Sequence, residues 1–360
     1  MRLRFRHPLE NLAGHRADRS ETANLNQVYS GIWRKLRKDS ASWLDVDEES
    51  AGQRLDNFLM RHAKGVPKSH IYRIVRSGEV RVNKGRVSAD YRVKSGDQIR
   101  LPPIRIAEKS LDAPNAPLVP AREFALAYED EAMLVVDKPA GTAVHGGSGV
   151  SFGVIEQLRR ARPQAKLLEL AHRLDRETSG LLIIAKKRSA LTRLHDQFRE
   201  GIIAKRYLAL VKGRWQNPLQ HVKLPLLKYL LPDGERRVRV DEQEGKTAHS
   251  IVRLVARWQN FSLVEVELKT GRTHQIRVHL SHLGFPIAGD DKYGDFALNK
   301  ELARPGPAQL RRMFLHAAKL ALPHPLTGEP VALTADLPPE LQSYLNALNA
   351  NEQRDYGKAI

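Results

Sequence analysis

Ala171-His-Arg-Leu-Asp-Arg-Glu-Thr-Ser-Gly-Leu-Leu-Ile-Ile-Ala185 sets a run of polar and charged groups directly against a strand-length apolar run. Leu181–Ala185 reads as a buried strand, because five consecutive apolar residues leave no face for water. The residues before the polar run, Leu167–Ala171, are also mostly apolar. Polar groups wedged between two core segments predict a loop exposed at a cleft. Within it Asp175 stands between Arg173 and Arg176, whose charges favour the ionised carboxylate. Such a carboxylate can act as nucleophile or general base. Read alone, the stretch fits a surface ion-pair loop at least as well.

Outward from this strand the pattern alternates between periods. Phe124–Tyr128 and Met133–Asp137 read as strands around an acidic turn, and Lys205–Val211 as another. Ser250–Arg257 and Phe261–Leu268 form a hairpin about Trp258-Gln-Asn260. Ser189–Phe198 has amphipathic helical spacing, and Thr273–Leu283 reads as a helix with Thr273 as N-cap. The fold class expected is α+β: a mixed, mostly antiparallel sheet flanked by helices over residues 123–345, with a tail at 346–360. No internal repeat and no low-complexity tract interrupts it.

Upstream lies a second, smaller unit, expected over 44–105. Arg54–Arg61 and Pro67–Arg76 carry apolar residues at helical spacing, and Gly78 is placed to end the second helix. Glu79–Asn83 alternates like a strand, Lys84-Gly85 supplies a turn, and Asp97–Leu101 closes the unit. Between Ala51 and Arg105 thirteen Lys or Arg face four Asp or Glu, half of the whole chain's surplus of +18. Clustering of that kind is the footprint of a nucleic-acid-binding face. Five prolines between 102 and 120 mark a linker over 106–122. Residues 1–43 read as a flexible extension. Within it Gly31–Lys38 is either a short basic helix formed on contact or part of a solvated leader.

Composition narrows the chemistry. With 360 residues, 41% of them hydrophobic, the chain can bury more than one core. A net charge of +18 calls for a polyanionic partner. No apolar run approaches the ~18 residues of a spanning helix, and the N-terminus has no apolar core of a secretory signal. A membrane partner is therefore not expected. The absence of cysteine excludes a disulfide scaffold, a thiolate zinc site and a cysteine nucleophile, and fits a reducing cytoplasm.

Two further segments could do chemistry. In Lys269-Thr-Gly-Arg-Thr-His-Gln-Ile-Arg-Val-His279, Gly271 permits a tight turn and Arg277 falls near a helix start facing the cleft. An Arg and an Asp brought together there would form a bidentate pair fixing the carboxylate. His274, His279 and His282 lack a third ligand at metal spacing, so structural or RNA-contacting roles are expected and no metal. In Ala204–Leu210, Tyr207 is either a core aromatic or a platform for a flipped base.

Together these segments resemble the RluA family of pseudouridine synthases. Its signature H-R-L-D-x-x-T-S-G stands unbroken at His172–Gly180, with Lys205-Arg-Tyr207, Gly271–Arg277, Phe314-Leu-His-Ala317 and Asp137-Lys-Pro-Ala-Gly141 plus His145 in family order. Residues 44–105 resemble the αL-type S4 RNA-binding domain through Gln53–Asp56, Ser69–Val75, Gly78–Asn83 and Tyr91–Asp97, with Lys84 inserted into the usual V-N-G turn. The pairing looks most like the RluC-type group, which modifies several uridines of the large-subunit 23S rRNA.

The resemblance implies isomerisation of uridine to pseudouridine without redox cofactor, ATP or metal. It implies Asp175 as catalytic carboxylate, Arg277 as its orienting partner, and Tyr207 stacking on the uracil and assisting deprotonation at C5. Arg173 would fill the gap left by the flipped base or hold its phosphate, and Leu315 would pack beside the pocket. His172, Thr178, Gly271, Arg272 and His274 would contact substrate. On the S4 side, Arg54, Lys68, Ser69, Tyr72, Arg73, Arg76, Lys84 and Arg86 would contact RNA. The expected partner is 23S rRNA or a large-subunit assembly intermediate, met by a cytoplasmic monomer. The competing readings are a non-catalytic ribosome-assembly factor and a synthase acting on tRNA.

Overall fold

The seven residues of Ser179–Ala185 are all buried, on both faces of the strand they form (β7 below). The computed structural model describes residues 40–48, 50–63, 66–104, 119–146, 152–306 and 309–351, and the backbone of 355–356. The expected basic helix at 31–38 and most of the linker lie outside the described residues. The chain divides into two compact units, with the division between Pro114 and Asn115.

In the first unit, strand β1 (Ser42–Asp45), helices α1 (Leu55–His62) and α2 (Lys68–Arg76), and strands β2 (Arg81–Val82) and β3 (Gln98–Leu101) enclose one core. The antiparallel sheet has the order β1-β3-β2. Leu55, Phe58 and Leu59 of α1 and Ile71, Ile74 and Val75 of α2 face that core. Two boundaries move from the sequence expectation. An extension reaching residue 43 is too long, because Ser42 and Trp43 already pair with Leu101 and Arg100. Ser42 and Leu44 are buried on one side of that strand while Trp43 and Asp45 are exposed on the other. The strand expected over 79–83 shrinks to two residues. Asn83 and Lys84, both with positive φ (49° and 68°), make a two-residue turn closed by Val82 and Gly85.

The second unit is built on one eleven-stranded sheet. Its strands are β4 (Leu126–Glu129), β5 (Met133–Lys138), β6 (Glu169–Leu170), β7 (Ser179–Ala185), β8 (Ala204–Lys212), β9 (Leu219–Val222), β12 (Ser250–Arg257), β13 (Phe261–Leu268), β14 (Leu315–Pro323), β15 (Pro330–Thr334) and β16 (Asp355–Tyr356). The central order is β12-β13-β8-β14-β7-β5-β4, antiparallel except where β14 runs parallel to β7. Strands β10 (Leu226–Leu230) and β11 (Arg236–Val240) form a separate hairpin. The helices are α3 (Val154–Ala161), α4 (Arg188–Glu200), α5 (Gln275–His282), α6 (Phe296–Leu302) and α7 (Pro339–Asn351).

The pleat of β5 and β7 explains why both read as unbroken apolar runs. Leu134, Val136, Leu182 and Ile184 face one core, while Met133, Val135, Leu181 and Ile183 face another on the opposite side. Each such side chain contributes about 1.5–3 kcal/mol on burial. A third cluster joins Trp258, Phe261 and Leu263 to Leu341, Tyr344, Leu345 and Leu348 of α7. Helix α7 therefore runs straight through residue 345, after which the sequence predicts a tail. Leu348 is held in the core, and Trp258 Nε1 donates to Asn349 Oδ1 at 3.2 Å. Among the described residues no helix is long and apolar enough to cross a membrane.

Candidate active site

Asp175 lies in the loop between β6 and β7, Tyr207 on β8, Leu315 at the start of β14 and Arg277 in the first turn of α5. Strands β8, β14 and β7 are sheet neighbours, and α5 follows β13, so the topology brings four distant segments to one place. His172, Arg173, Asp175, Thr178, Tyr207, Gly271, Arg272, His274, Arg277 and Leu315 all line one cleft of about 860 Å³. Every site residue expected from this part of the chain is among them. Among the described residues, Asp175 is the only Asp or Glu in that lining, facing seven Lys or Arg: Arg173, Arg199, Lys205, Lys228, Lys269, Arg272 and Arg277.

The expected Arg–Asp contact is present but differs in kind. Arg277 Nη1 donates to Asp175 Oδ2 at 3.3 Å through a single hydrogen bond. The bidentate fork goes instead to Asp290, with Nε to Oδ2 at 2.7 Å and Nη2 to Oδ1 at 2.6 Å. Asp290 sits in the turn after α5, so only tertiary folding reveals the competition. Burial opposes charge on both partners, yet their pairing wins. Asp290 is held below the usual carboxylate range and Arg277 above its ordinary value. Nor does Arg176 serve Asp175, since its side chain turns to Glu177 at 2.8 Å.

Tyr207 is 6% exposed, with its ring in the core and one side on the cleft. Burial, then the charge of Asp175, raises its phenol well above the ordinary value. The hydroxyl is therefore protonated at neutral pH, which suits stacking and donation and disfavours the phenolate as a base. His172 accepts from the Ile183 amide through Nε2 at 3.0 Å and stacks against Phe198. Burial, aided by the charge of Lys205, pushes its pKa down to about 3, so it is neutral.

Thr273 does not cap α5. The N-cap is His274 in the left-handed region (φ 52°), and Gln275 folds back to accept from Arg272 N and Thr270 Oγ1 at 3.0 and 2.8 Å. That backbone turn places the His274 ring between Tyr293 Oη, at 2.7 Å from Nδ1, and Asp175, at 3.9 Å from Nε2. Burial lowers its pKa despite Asp175 nearby. His279 is wholly buried, and both ring nitrogens are engaged, by Ser250 Oγ and Leu224 O, each at 3.0 Å.

Sequence reading misses what holds this arrangement. Lys138 is fully buried and donates to the carbonyls of Pro139, Thr142 and Arg176 at 2.8–3.0 Å, tying its own turn to the Asp175 loop. Burial drives its pKa down to about 7. Asp290, Gln275 and Tyr293 also escape it. The glycine-bounded run Gly289-Asp-Asp-Lys-Tyr-Gly294 is the available turn signal for two of them.

In the first unit, Arg54, Lys68, Ser69, Tyr72, Arg73, Arg76, Lys84 and Arg86 are all exposed. Arg54 and Tyr72 are fixed by buried Asp56, at 2.8 and 3.0 Å.

Comparison with known proteins bears on this geometry. A family model described as RNA pseudouridylate synthase matches residues 132–282, and one described as S4 domain matches 53–99. Ribosomal large subunit pseudouridine synthase C of Pasteurella multocida is 50% identical over 320 residues, 87% of this chain and 96% of that protein. Its Escherichia coli K12 namesake is 50% identical over 316 residues, 87% and 98%. The chain belongs to the RNA pseudouridylate synthase family. Among solved structures in the family, Human RNA Pseudouridylate Synthase Domain Containing 1 aligns with a TM-score of 0.53 at 26% identity, over 66% of this chain and 91% of that one. Human RNA Pseudouridylate Synthase Domain Containing 4 aligns at 0.52 and 25%, over 62% and 93%. An RNA pseudouridylate synthase is an isomerase: the C1′–N1 bond of uridine breaks, a C1′–C5 bond forms, and a proton leaves C5 while N1 gains one.

Proposed function

We propose that this chain converts several uridines of 23S rRNA to pseudouridine, with Asp175 as the catalytic carboxylate. The observation that carries this reading is that, among the described residues, one carboxylate stands among seven cations in a cleft open to solvent. Cations of the rim meet the phosphates, and the target base leaves its stack at a cost of a few kcal/mol. Tyr207 stacks on the extruded uracil, Leu315 packs beside it, and Arg173 holds the flanking phosphate or the vacated space. Asp175, held by Arg277, starts cleavage of the glycosidic bond. Nothing in this sequence of steps requires a metal, a nucleotide or a redox group.

The S4 unit adds affinity and site choice through its exposed cations, and the segment 106–122 links the two. The large-subunit substrate follows from the likeness to the two ribosomal relatives. The cytoplasm as its location and a monomer as the working form belong to the same proposal.

The test is pseudouridine mapping of total RNA from cells lacking the gene, complemented with wild type or Asp175→Asn. Loss at discrete large-subunit rRNA uridines, restored by wild type alone, is expected. Loss confined to tRNA would retain the chemistry and replace the substrate. An unchanged map, together with no activity of the purified protein on rRNA, would leave a non-catalytic assembly factor.

A further inference from the structure

The Arg277 guanidinium has two hydrogen-bonding edges beyond its stem, and the structure commits one of them completely. Asp290 takes the Nε/Nη2 edge with two bonds of 2.7 and 2.6 Å, Asp291 Oδ1 accepts from the same Nη2 at 3.1 Å, and Nη1 alone reaches Asp175 at 3.3 Å. Both partners of the fork are buried, with side chains 3% and 1% exposed, so water does not compete for them. Asp290 is itself held rigidly. Its Oδ1 accepts from the amides of Lys292 and Tyr293 at 2.8 and 3.0 Å, and its carbonyl accepts from Asn299 Nδ2 at 2.7 Å. Asn299 Oδ1 in turn accepts from the Gly289 amide at 2.8 Å. At Gly289 (φ +77°) a Cβ would come 2.1 Å from the Arg312 carbonyl, so the turn is built for glycine. The Tyr293 ring lies 5.1 Å from Arg277 Cζ and braces the cation from one face.

We propose that Asp290 is a positioning residue for the isomerisation: it holds one edge of Arg277 so that Asp175 receives a single directed hydrogen bond rather than a two-bond clamp. This rests on the reading of Asp175 as the catalytic carboxylate. Two consequences follow from the geometry. With its fork on Asp290 and its remaining Nη2 hydrogen on Asp291, Arg277 has only Nη1 to offer and cannot grip both oxygens of Asp175, so Oδ1 keeps its lone pairs for the reaction. The paired carboxylate also offsets the guanidinium charge, so Asp175 is oriented by Arg277 without facing an uncompensated cation. A carboxylate bound bidentately by a free Arg is a weaker nucleophile and a weaker base.

The test is steady-state kinetics on an rRNA fragment with the full-length protein, comparing wild type, Asp290→Asn, Asn299→Ala and Asp175→Asn. Asp290→Asn preserves shape and removes the charge and one acceptor. Its kcat is expected to fall at least tenfold while KM for RNA stays within threefold. The acid limb of kcat is expected to move to lower pH, because Arg277 then bears on Asp175 with only the exposed Asp291 left to offset its charge. The other titratable groups near Asp175 are His274 from the turn into α5, Lys138 from β5 and Tyr207 from β8, with Arg173, Lys205 and Lys269 in the same cleft; of the first three His274 also feels the charge of Asp290, so the same comparison in a His274→Gln background separates its share of the shift. A merely structural role would lower kcat together with the thermal midpoint and leave the acid limb in place; that result overturns the proposal, as does kcat within twofold of wild type. Should Asp290→Asn fail to fold, Asn299→Ala decides. It loosens the turn that carries Asp290 without touching Arg277, and a severalfold loss of kcat at constant KM is expected, an unchanged kcat being contrary. Full activity of Asp175→Asn would sink the functional reading itself, a distinct outcome.

Discussion

His172 shows how one half-buried group links the catalytic loop to pH. The unfolded imidazole takes a proton below about pH 6.5, whereas the folded one does so only near 3. Its stabilising contribution is therefore fully present above pH 6.5 and drains as pH falls from there toward 3, by up to about 1.4 kcal/mol per unit. Urea unfolding at pH 7, 6 and 5 is expected to show that decline, and His172→Gln to flatten it while still offering an acceptor to the Ile183 amide. Lys84 poses a different single-residue conflict. A two-residue hairpin turn with positive φ at both positions favours Asn-Gly, yet here Lys holds the second one. Lys84→Gly is expected to stabilise the S4 unit by up to about 1 kcal/mol while weakening RNA binding, since one phosphate-seeking cation is removed. Opposite signs in thermal unfolding and in an RNA titration would establish both halves; a neutral effect on binding would remove Lys84 from the interface.

Among elements, the parallel pairing of β7 with β14 joins the Asp175 loop to Leu315. It rests on Gly180, where φ is +107° and a Cβ would stand 2.3 Å from the Ala317 carbonyl. Gly180→Ala forces that pair apart and is expected to cost about 3 kcal/mol or more, read as a lowered midpoint in chemical unfolding. A loss below about 1 kcal/mol would mean that the sheet absorbs the methyl by moving. Beneath β14, Ser179 Oγ and His316 Nδ1 lie 2.9 Å apart and Arg312 reaches the same hydroxyl at 2.8 Å, so the junction is polar as well as tight. The start of helix α5 depends on backbone geometry in the same way. Thr273 suits a cap by residue type, but the chain places a left-handed residue at His274 and lets Gln275 satisfy the turn. The His274 ring is thereby aimed at Asp175.

At the scale of the molecule, two units with separate cores predict separable folding. Removing residues 1–105 is expected to leave a soluble second unit with native-like unfolding, weaker RNA affinity and a disturbed choice of uridines. The slope of log Kd against log salt is expected to become shallower by about one for each phosphate that the S4 unit no longer neutralises. Insoluble protein on that truncation would contradict independent folding, and an unchanged salt slope would contradict an RNA role for the S4 face.

The sequence by itself determined the chemistry-bearing residues, the two-unit organisation and most strands and helices near the site. Those depend on local pattern: the apolar period of β7 and β8, the hairpin at Trp258, the polar run at His172–Gly180. It also held the family signature, whose residues are readable without any coordinates. Only the tertiary structure decided which carboxylate Arg277 grips, because Asp175 and Asp290 reach it from loops far apart in the chain. Only it assigned Lys138 to three carbonyls, since nothing in a local pattern says which backbone groups burial will leave without water. The ends of elements moved for the same reason. Ser42 joins β1, and α7 carries on to residue 351, because strand pairing and core packing, not propensity, set where an element ends.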